Sequence, residues 1–226
     1  AGAGLVSIAG EREALLVQAA HVTAIMLKET PTPEALTALL QSGRVSAALC
    51  GPAAGLDDRV LARIEVLLRS GLPLVLDADA LTLLSRRMAL LTGAPQAPRV
   101  LTPHGGEFAR LFGKAPAPGD GVDRRADAIA AARSTGAVVV LKGRHTVIAA
   151  PDGRAAVDET GGPELATAGS GDVLAGLIGA HLAQGMPAFE AACAAVWLHG
   201  RCGALFGLGL TADRLVSLVR PAAAFL

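Results

Sequence analysis

Short apolar runs, each followed by a longer stretch with helical spacing, constrain this chain more than any other feature. Leu5 to Ala9, Val22 to Leu27, Val45 to Cys50, Pro73 to Leu76, Val100 to Leu101 and Ala137 to Lys142 read as strands. Leu5 to Ala9 is expected to be buried. Glu11 to Ala20, Thr32 to Ser42, Leu56 to Ser70 and Asp123 to Ser134 read as helices. Leu56, Val60, Ile64, Leu67 and Leu68 fall on one face of the third, and Pro33 is tolerated in a first turn. Strands alternating with helices predict a mostly parallel sheet covered on both faces. Thr146 to Ala150 and Arg154 to Val157 predict a β-hairpin around Asp152-Gly153. Gly169 to Gln184, Pro187 to Phe206 and Thr211 to Ala224 then read as three consecutive helices. The expected fold class is α/β, with a three-layer α/β/α architecture and a helical C-terminal third.

Composition narrows what such a fold can do. A chain of 226 residues fits one large α/β domain. Twenty basic and twenty acidic side chains cancel, so no basic excess drives nucleic-acid or membrane-surface binding. The apolar content excludes disorder. With no Tyr, one Trp and five Phe, the core must come from Ala, Leu, Val and Ile. Cys50, Cys193 and Cys202 lack metal-type spacing and read as core fillers in a reducing, cytoplasmic setting. The most apolar stretches carry Asp172, Glu190 and Arg201, which argues against a membrane span. Ala115 to Gly121 (APAPGDG) reads as a surface loop. The opening AGAGLVSIAG has no Met and reads as an entry into the middle of a fold.

In an open parallel sheet, ligands bind beyond the carboxyl ends of the strands. The residues there are Gly51-Pro52-Ala53-Ala54-Gly55, Asp77-Ala78-Asp79, Thr102 to Glu107, and Lys142-Gly143-Arg144-His145-Thr146. Gly169-Ser170-Gly171-Asp172 opens a helix, where free amides and the helix dipole favour a phosphoryl group. Asp172 could take a proton from a substrate hydroxyl, or be an acidic residue that the dipole favours in a first turn. Lys142 could meet a phosphate, or be a solvated strand-end lysine. His104 could bind a polar substrate or act as a loop or capping residue; it shares a helical-turn face with Glu107. Asp77 and Asp79 could touch Mg2+ through water or cap the next helix. His21, His181 and His199 read as structural.

Taken in order, CGPAAG, LPLVLDADALTLL, RVLTPHGGEFARLFG, VVVLKGRHTVIAAPDG, ATAGSGDVLAGLIGAHLAQG and AACAAVWLHG resemble the NAD(P)H-hydrate dehydratases of the ribokinase-like superfamily. The resemblance runs from Ala1 to about Val219. It implies ADP- or ATP-dependent phosphorylation of hydrated NADH or NADPH, followed by loss of phosphate. It implies nucleotide contacts from Lys142, Gly143, Arg144, His145, Thr146 and Gly171. Substrate contacts would come from Gly51, Gly55, Asp77, His104, Glu107 and Asp172. Asp172 would be the base, and Gly169, Ser170 and Gly171 the anion-stabilising loop. No direct metal ligand is expected; Mg2+ would ride on the phosphates, with Asp77 or Glu107 reaching it through water.

Two departures stand out: Ala53 replaces a glycine of the family's GPGLG loop, and Gly105 replaces the proline of TPHPGE. The resemblance also implies one domain over residues 1–226 that lacks the family's first strand and Gly-rich turn. It further implies a homo-oligomer and an epimerase domain upstream or in trans. A small-alcohol kinase of the hydroxyethylthiazole type and a non-catalytic nucleotide-binding module are the competing readings. TPHGGE argues against the first, and the intact Asp172 loop against the second.

Overall fold

The computed structural model describes residues 1–94, 97–119 and 121–223. Asp120 of the APAPGDG loop and Ala224 at the end of the last expected helix lie outside them. The order is β1 (Ser7–Gly10), α1 (Arg12–Ala19), β2 (Met26–Glu29), α2 (Pro33–Gln41), β3 (Ala48–Cys50) and α3 (Asp58–Arg69). Then come β4 (Leu74–Leu76), α4 (Ala78–Leu84), α5 (Met88–Thr92), β5 (Arg99–Leu101), α6 (Gly105–Phe112) and α7 (Gly121–Thr135). The rest is β6 (Val138–Leu141), β7 (Thr146–Ala149), β8 (Ala155–Asp158), α8 (Ser170–Ala183), α9 (Ala188–Phe206) and α10 (Ala212–Ala223).

The six strands β3 to β8 lie side by side in chain order. From β3 to β6 they pair in parallel, because each connection carries a helix back across the sheet. From β6 to β8 they pair antiparallel, and the hairpin around Asp152-Gly153 stands where the turn residues put it.

Alternation along the strands divides the core in two. Leu74, Leu76, Leu101, Val139, Leu141, Val147 and Ala149 face a cluster with α2 to α7. Val75, Val100, Val138, Val140 and Ile148 face the opposite way, onto α8, α9 and α10. Both faces are covered, which completes the three layers. Local chemistry sets the helix starts: Asp57 accepts from Val60 N–H at 3.0 Å at the head of α3, and Thr32 accepts from Ala35 N–H at 3.2 Å at the head of α2.

The first strand departs from expectation. Among the described residues, β1 and β2 pair only with each other, in parallel. Leu5 is 85% exposed and β1 alternates between exposed and half-buried. An apolar run reads alike whether a sheet covers it or not, so exposure was not legible there. Among the described residues, this unit is held to α3 by side chains. Arg59 pairs with Glu11 at 3.2 Å, and Arg63 donates to the hydroxyl of the buried Thr30 at 3.1 Å. No helix among the described residues is long and apolar enough to cross a membrane.

Candidate active site

The predicted strand-end residues converge. The register of β5 and β6 is kept beyond the strands in an isolated bridge, one residue past β6 and three past β5: Lys142 N–H donates to the Pro103 carbonyl at 2.8 Å, and His104 pairs with Lys142. Sheet geometry, not loop geometry, therefore aims Lys142. Its ammonium meets Asp77 Oδ1 at 2.9 Å and Glu107 Oε2 at 3.9 Å. Asp77 is buried at the end of β4, where Oδ1 also accepts from Ala78 N–H at 2.9 Å. The capping role and the ionic role coexist in that one carboxylate.

Gly51 runs directly beneath Asp77, with φ at 136°; a β-carbon there would collide with the Asp77 carbonyl. Gly55 N–H donates to Asp79 Oδ2 at 2.9 Å, which pins the Gly51 to Gly55 loop to α4. Ala53 holds φ at 51°, a left-handed conformation that glycine adopts at less cost.

His104 caps α6. Its Nδ1 accepts from Gly106 N–H at 3.0 Å, while Glu107 Oε2 accepts from His104 N–H at 2.8 Å, a reciprocal capping box. The His104 ring remains open to solvent. Glu107 is buried and shared between this cap and Lys142.

α8 brings the fifth segment. Gly169 is left-handed (φ 81°), and no side chain caps the helix. Ser170 N–H is taken by the Thr167 carbonyl at 3.2 Å. The first-turn amides of Gly171 and Asp172 have no intrahelical acceptor. A β-carbon on Gly171 would stand 3.3 Å from Lys142 Nζ and 3.9 Å from Asp77 Oδ2, so this glycine lets the backbone approach the ion pair. Burial, then the negative charge of Asp77, raise the Asp172 pKa against the pull of Lys142.

Within the Lys142 to Thr146 turn, Gly143 and Arg144 are exposed, and Thr146 begins β7. His145 Nδ1 is buried without a partner. No cluster of three or more His, Cys, Asp or Glu suited to a metal occurs among the described residues.

Arg124 escaped the sequence reading, whereas His199, expected to be structural, holds the head of α8. Arg124 on α7 is buried, donates to the Lys142 carbonyl at 3.1 Å and packs against Gly143. His199 on α9 stands 3.0 Å from both the Ser170 hydroxyl and the Ser170 carbonyl. A carbonyl only accepts, so Nε2 carries the proton and donates. Burial pushes the His199 pKa down to about 4, so this histidine is neutral and fixes the head of α8. The structural reading of His199 stands; its partner, Ser170, had no signal in the sequence.

The three-layer fold is similar to that of a ribokinase-like superfamily protein from Enterococcus faecalis V583, with a TM-score of 0.78 and 25% identity over 98% of this chain and 77% of that one. The family model described as NAD(P)H-hydrate dehydratase matches residues 1–217, and the chain belongs to that family. It is 41% identical over 233 residues to a bifunctional NAD(P)H-hydrate repair enzyme of Mycobacterium leprae, covering 100% of this chain and 46% of that protein. It is 47% identical over 163 residues to an ADP-dependent (S)-NAD(P)H-hydrate dehydratase of Neisseria meningitidis serogroup B, covering 68% and 53%. The chain thus spans about half the length of these curated relatives. The fold is similar to an ADP/ATP-dependent NAD(P)H-hydrate dehydratase from Bacillus subtilis co-crystallised with ATP and Mg2+. That likeness has a TM-score of 0.81 and 26% identity, and covers 99% of this chain and 80% of that one.

Proposed function

We propose that the protein dehydrates the hydrated form of NADH or NADPH, using ADP or ATP as phosphoryl donor. The observation that carries this reading is the meeting of Lys142, Asp77, Glu107 and the uncapped start of α8 at one point. Phosphoryl transfer needs positioning and charge stabilisation more than covalent chemistry. Asp172, its pKa raised, is a stronger base than an ordinary carboxylate and takes the proton of the ring hydroxyl. The hydroxyl oxygen bonds to the terminal phosphorus of the donor, whose bridging P–O bond breaks. The free amides of Gly171 and Asp172, with Lys142, stabilise charge on the transferred group. The ring C–O bond then breaks, phosphate leaves with the electron pair, and loss of a ring proton restores the double bond.

Lys142, Gly143, Arg144, His145, Thr146 and Gly171 form the nucleotide side; the unpartnered Nδ1 of His145 supports that reading. The Gly51 to Gly55 loop, Asp77, His104, Glu107 and Asp172 form the dinucleotide side. The Asp77 and Glu107 carboxylates beside Lys142 would reach, through water, a divalent cation carried by the phosphates. Such an ion, when bound, neutralises charge on the donor. Both cores stand on one sheet, which supports a single domain over residues 1–226. The bifunctional Mycobacterium relative supports an epimerase as partner. Exposed Leu16, Val17, Leu205 and Phe206 support a homo-oligomer, and the unpaired thiols a reducing cytoplasm.

The test is recovery of reduced-nicotinamide absorbance from hydrated NADH by the native protein, with ADP and with ATP. Recovery should require the nucleotide and fall about a hundredfold or more in Asp172→Ala. Unchanged turnover in that variant would remove Asp172 as base. A stable phosphorylated product without dehydration would favour the small-alcohol kinase reading.

A further inference from the structure

The turn after β6 takes its shape from a side chain on another element. Lys142 N–H donates to the Pro103 carbonyl at 2.8 Å, and the Lys142 carbonyl accepts from Arg124 Nη2 at 3.1 Å. Both backbone groups of Lys142 are therefore tied, one to the segment that leaves β5 and one to α7. Arg124 lies near the start of α7 and is 8% exposed. Its acidic neighbour Asp127 is held by other donors, Lys114 Nζ at 3.1 Å and Ala117 N–H at 2.7 Å. The guanidinium also covers Gly143: a β-carbon there would collide with Nη1 and stand 3.1 Å from Cζ. Gly143 is not in the left-handed region, so its missing side chain answers to this close approach and not to backbone conformation.

The Lys142–Gly143 peptide is trans and planar, so its carbonyl and its N–H point in opposite directions. With the carbonyl held by α7, Gly143 N–H is turned away from that layer. The opposite face of the sheet is the one that α8 covers. Gly143 is exposed, and among the described residues its N–H has no acceptor. Free main-chain amides in a turn attract anions.

We propose that Arg124 is the positioning residue of the nucleotide turn: by holding the Lys142 carbonyl it presents Gly143 N–H to a phosphate oxygen of bound ADP or ATP. This rests on the reading of residues 142–146 as the nucleotide side. Arg124 itself touches neither the nucleotide nor the reacting atoms. Without it the peptide is free to rotate, and nucleotide affinity falls. Lys142 Nζ stays held by Asp77, and Lys142 N–H by Pro103. Turnover at saturating nucleotide is therefore disturbed less, and the dinucleotide side keeps its geometry.

The test pairs calorimetric titration of the native protein with ADP and ATP with steady-state kinetics on hydrated NADH. Arg124→Met is expected to raise the Kd and KM of the nucleotide about tenfold or more. The KM for hydrated NADH should stay within about twofold of wild type. Arg124→Lys keeps a donor for the carbonyl and is expected to restore most of the affinity. Gly143→Ala pushes the guanidinium aside and should weaken nucleotide binding. A lysine at position 124 makes room for the β-carbon, so Gly143→Ala should cost less in Arg124→Lys than in wild type. That comparison decides the question even if Arg124→Met does not fold. Equal penalties in the two backgrounds overturn the proposal. So does unchanged nucleotide affinity in a folded Arg124→Met, or an equal rise in both Michaelis constants, which a merely structural role would give. Nucleotide binding with the expected dependence on Arg124, but no dehydration by wild type, supports the positioning role and removes only the dehydratase reading. Absence of saturable nucleotide binding in wild type overturns both.

Discussion

Gly105 shows how one position can be read against its relatives. It is the first residue of α6, its φ is not in the left-handed region, and among the described residues no acceptor is bonded to its amide. A β-carbon there would meet only Pro116 Cγ at an ordinary 3.8 Å. His104 before it is extended, with φ −78° and ψ 171°, as a residue preceding proline must be. Gly105→Pro is therefore expected to stabilise the fold by about 0.5–1 kcal/mol, chiefly by restricting the unfolded chain. A thermal melt should show a midpoint about 2 °C higher, and a lower midpoint would contradict this account. At this scale the strand-end motifs were legible, because the parallel sheet dictates where such residues gather. Roles were less so. His104 and Asp77 each had a capping and a functional reading, and the structure shows both caps while leaving the ring of His104 exposed.

Among elements, the contact between α8 and α9 matters most to the site. A polar link across it is His199 to Ser170, buried on both sides. His199→Ala would leave the Ser170 hydroxyl without this partner and open a cavity. A loss of about 2 kcal/mol or more is expected from chemical denaturation. Because Ser170 precedes the two free amides, turnover should fall more than the Michaelis constant rises. A pure rise in the Michaelis constant would show that His199 does not set the geometry of the α8 start. The helices of the last third were legible from their length and spacing. The five-residue α5 was not, because so short a segment shows no period. α4 was expected only as the helix that Asp77 or Asp79 would cap, without bounds, since its apolar residues run on from the strand before it. Arg124 escaped because α7 is charged along much of its length, and its one inward arginine looks like the solvated ones.

For the whole molecule, pH couples the site to stability. The buried His199 titrates near 4 when folded and near 6.5 when unfolded. Between those values the unfolded chain binds the extra proton and the folded one does not. Stability is therefore lost as pH falls from about 6.5 to about 4, by about 3 kcal/mol in total. Asp172 works in the opposite direction: its raised pKa makes the folded form bind the proton first, so acid costs it less. His199→Gln should flatten the decline in unfolding free energy between pH 6.5 and 4. An unchanged slope would place the acid sensitivity elsewhere.

The ladder step that joins His104 to Lys142 has a further consequence, for inactivation by heat. Catalytic groups carried on loops are commonly lost to local opening before the core gives way. Here the Lys142 backbone is bonded to the segment that leaves β5, a strand in the middle of the six-stranded sheet. To misplace its ammonium, heat has to part the two strands behind it. Loss of function and global melting should then be one event, and survival at high temperature will be a property of the sheet.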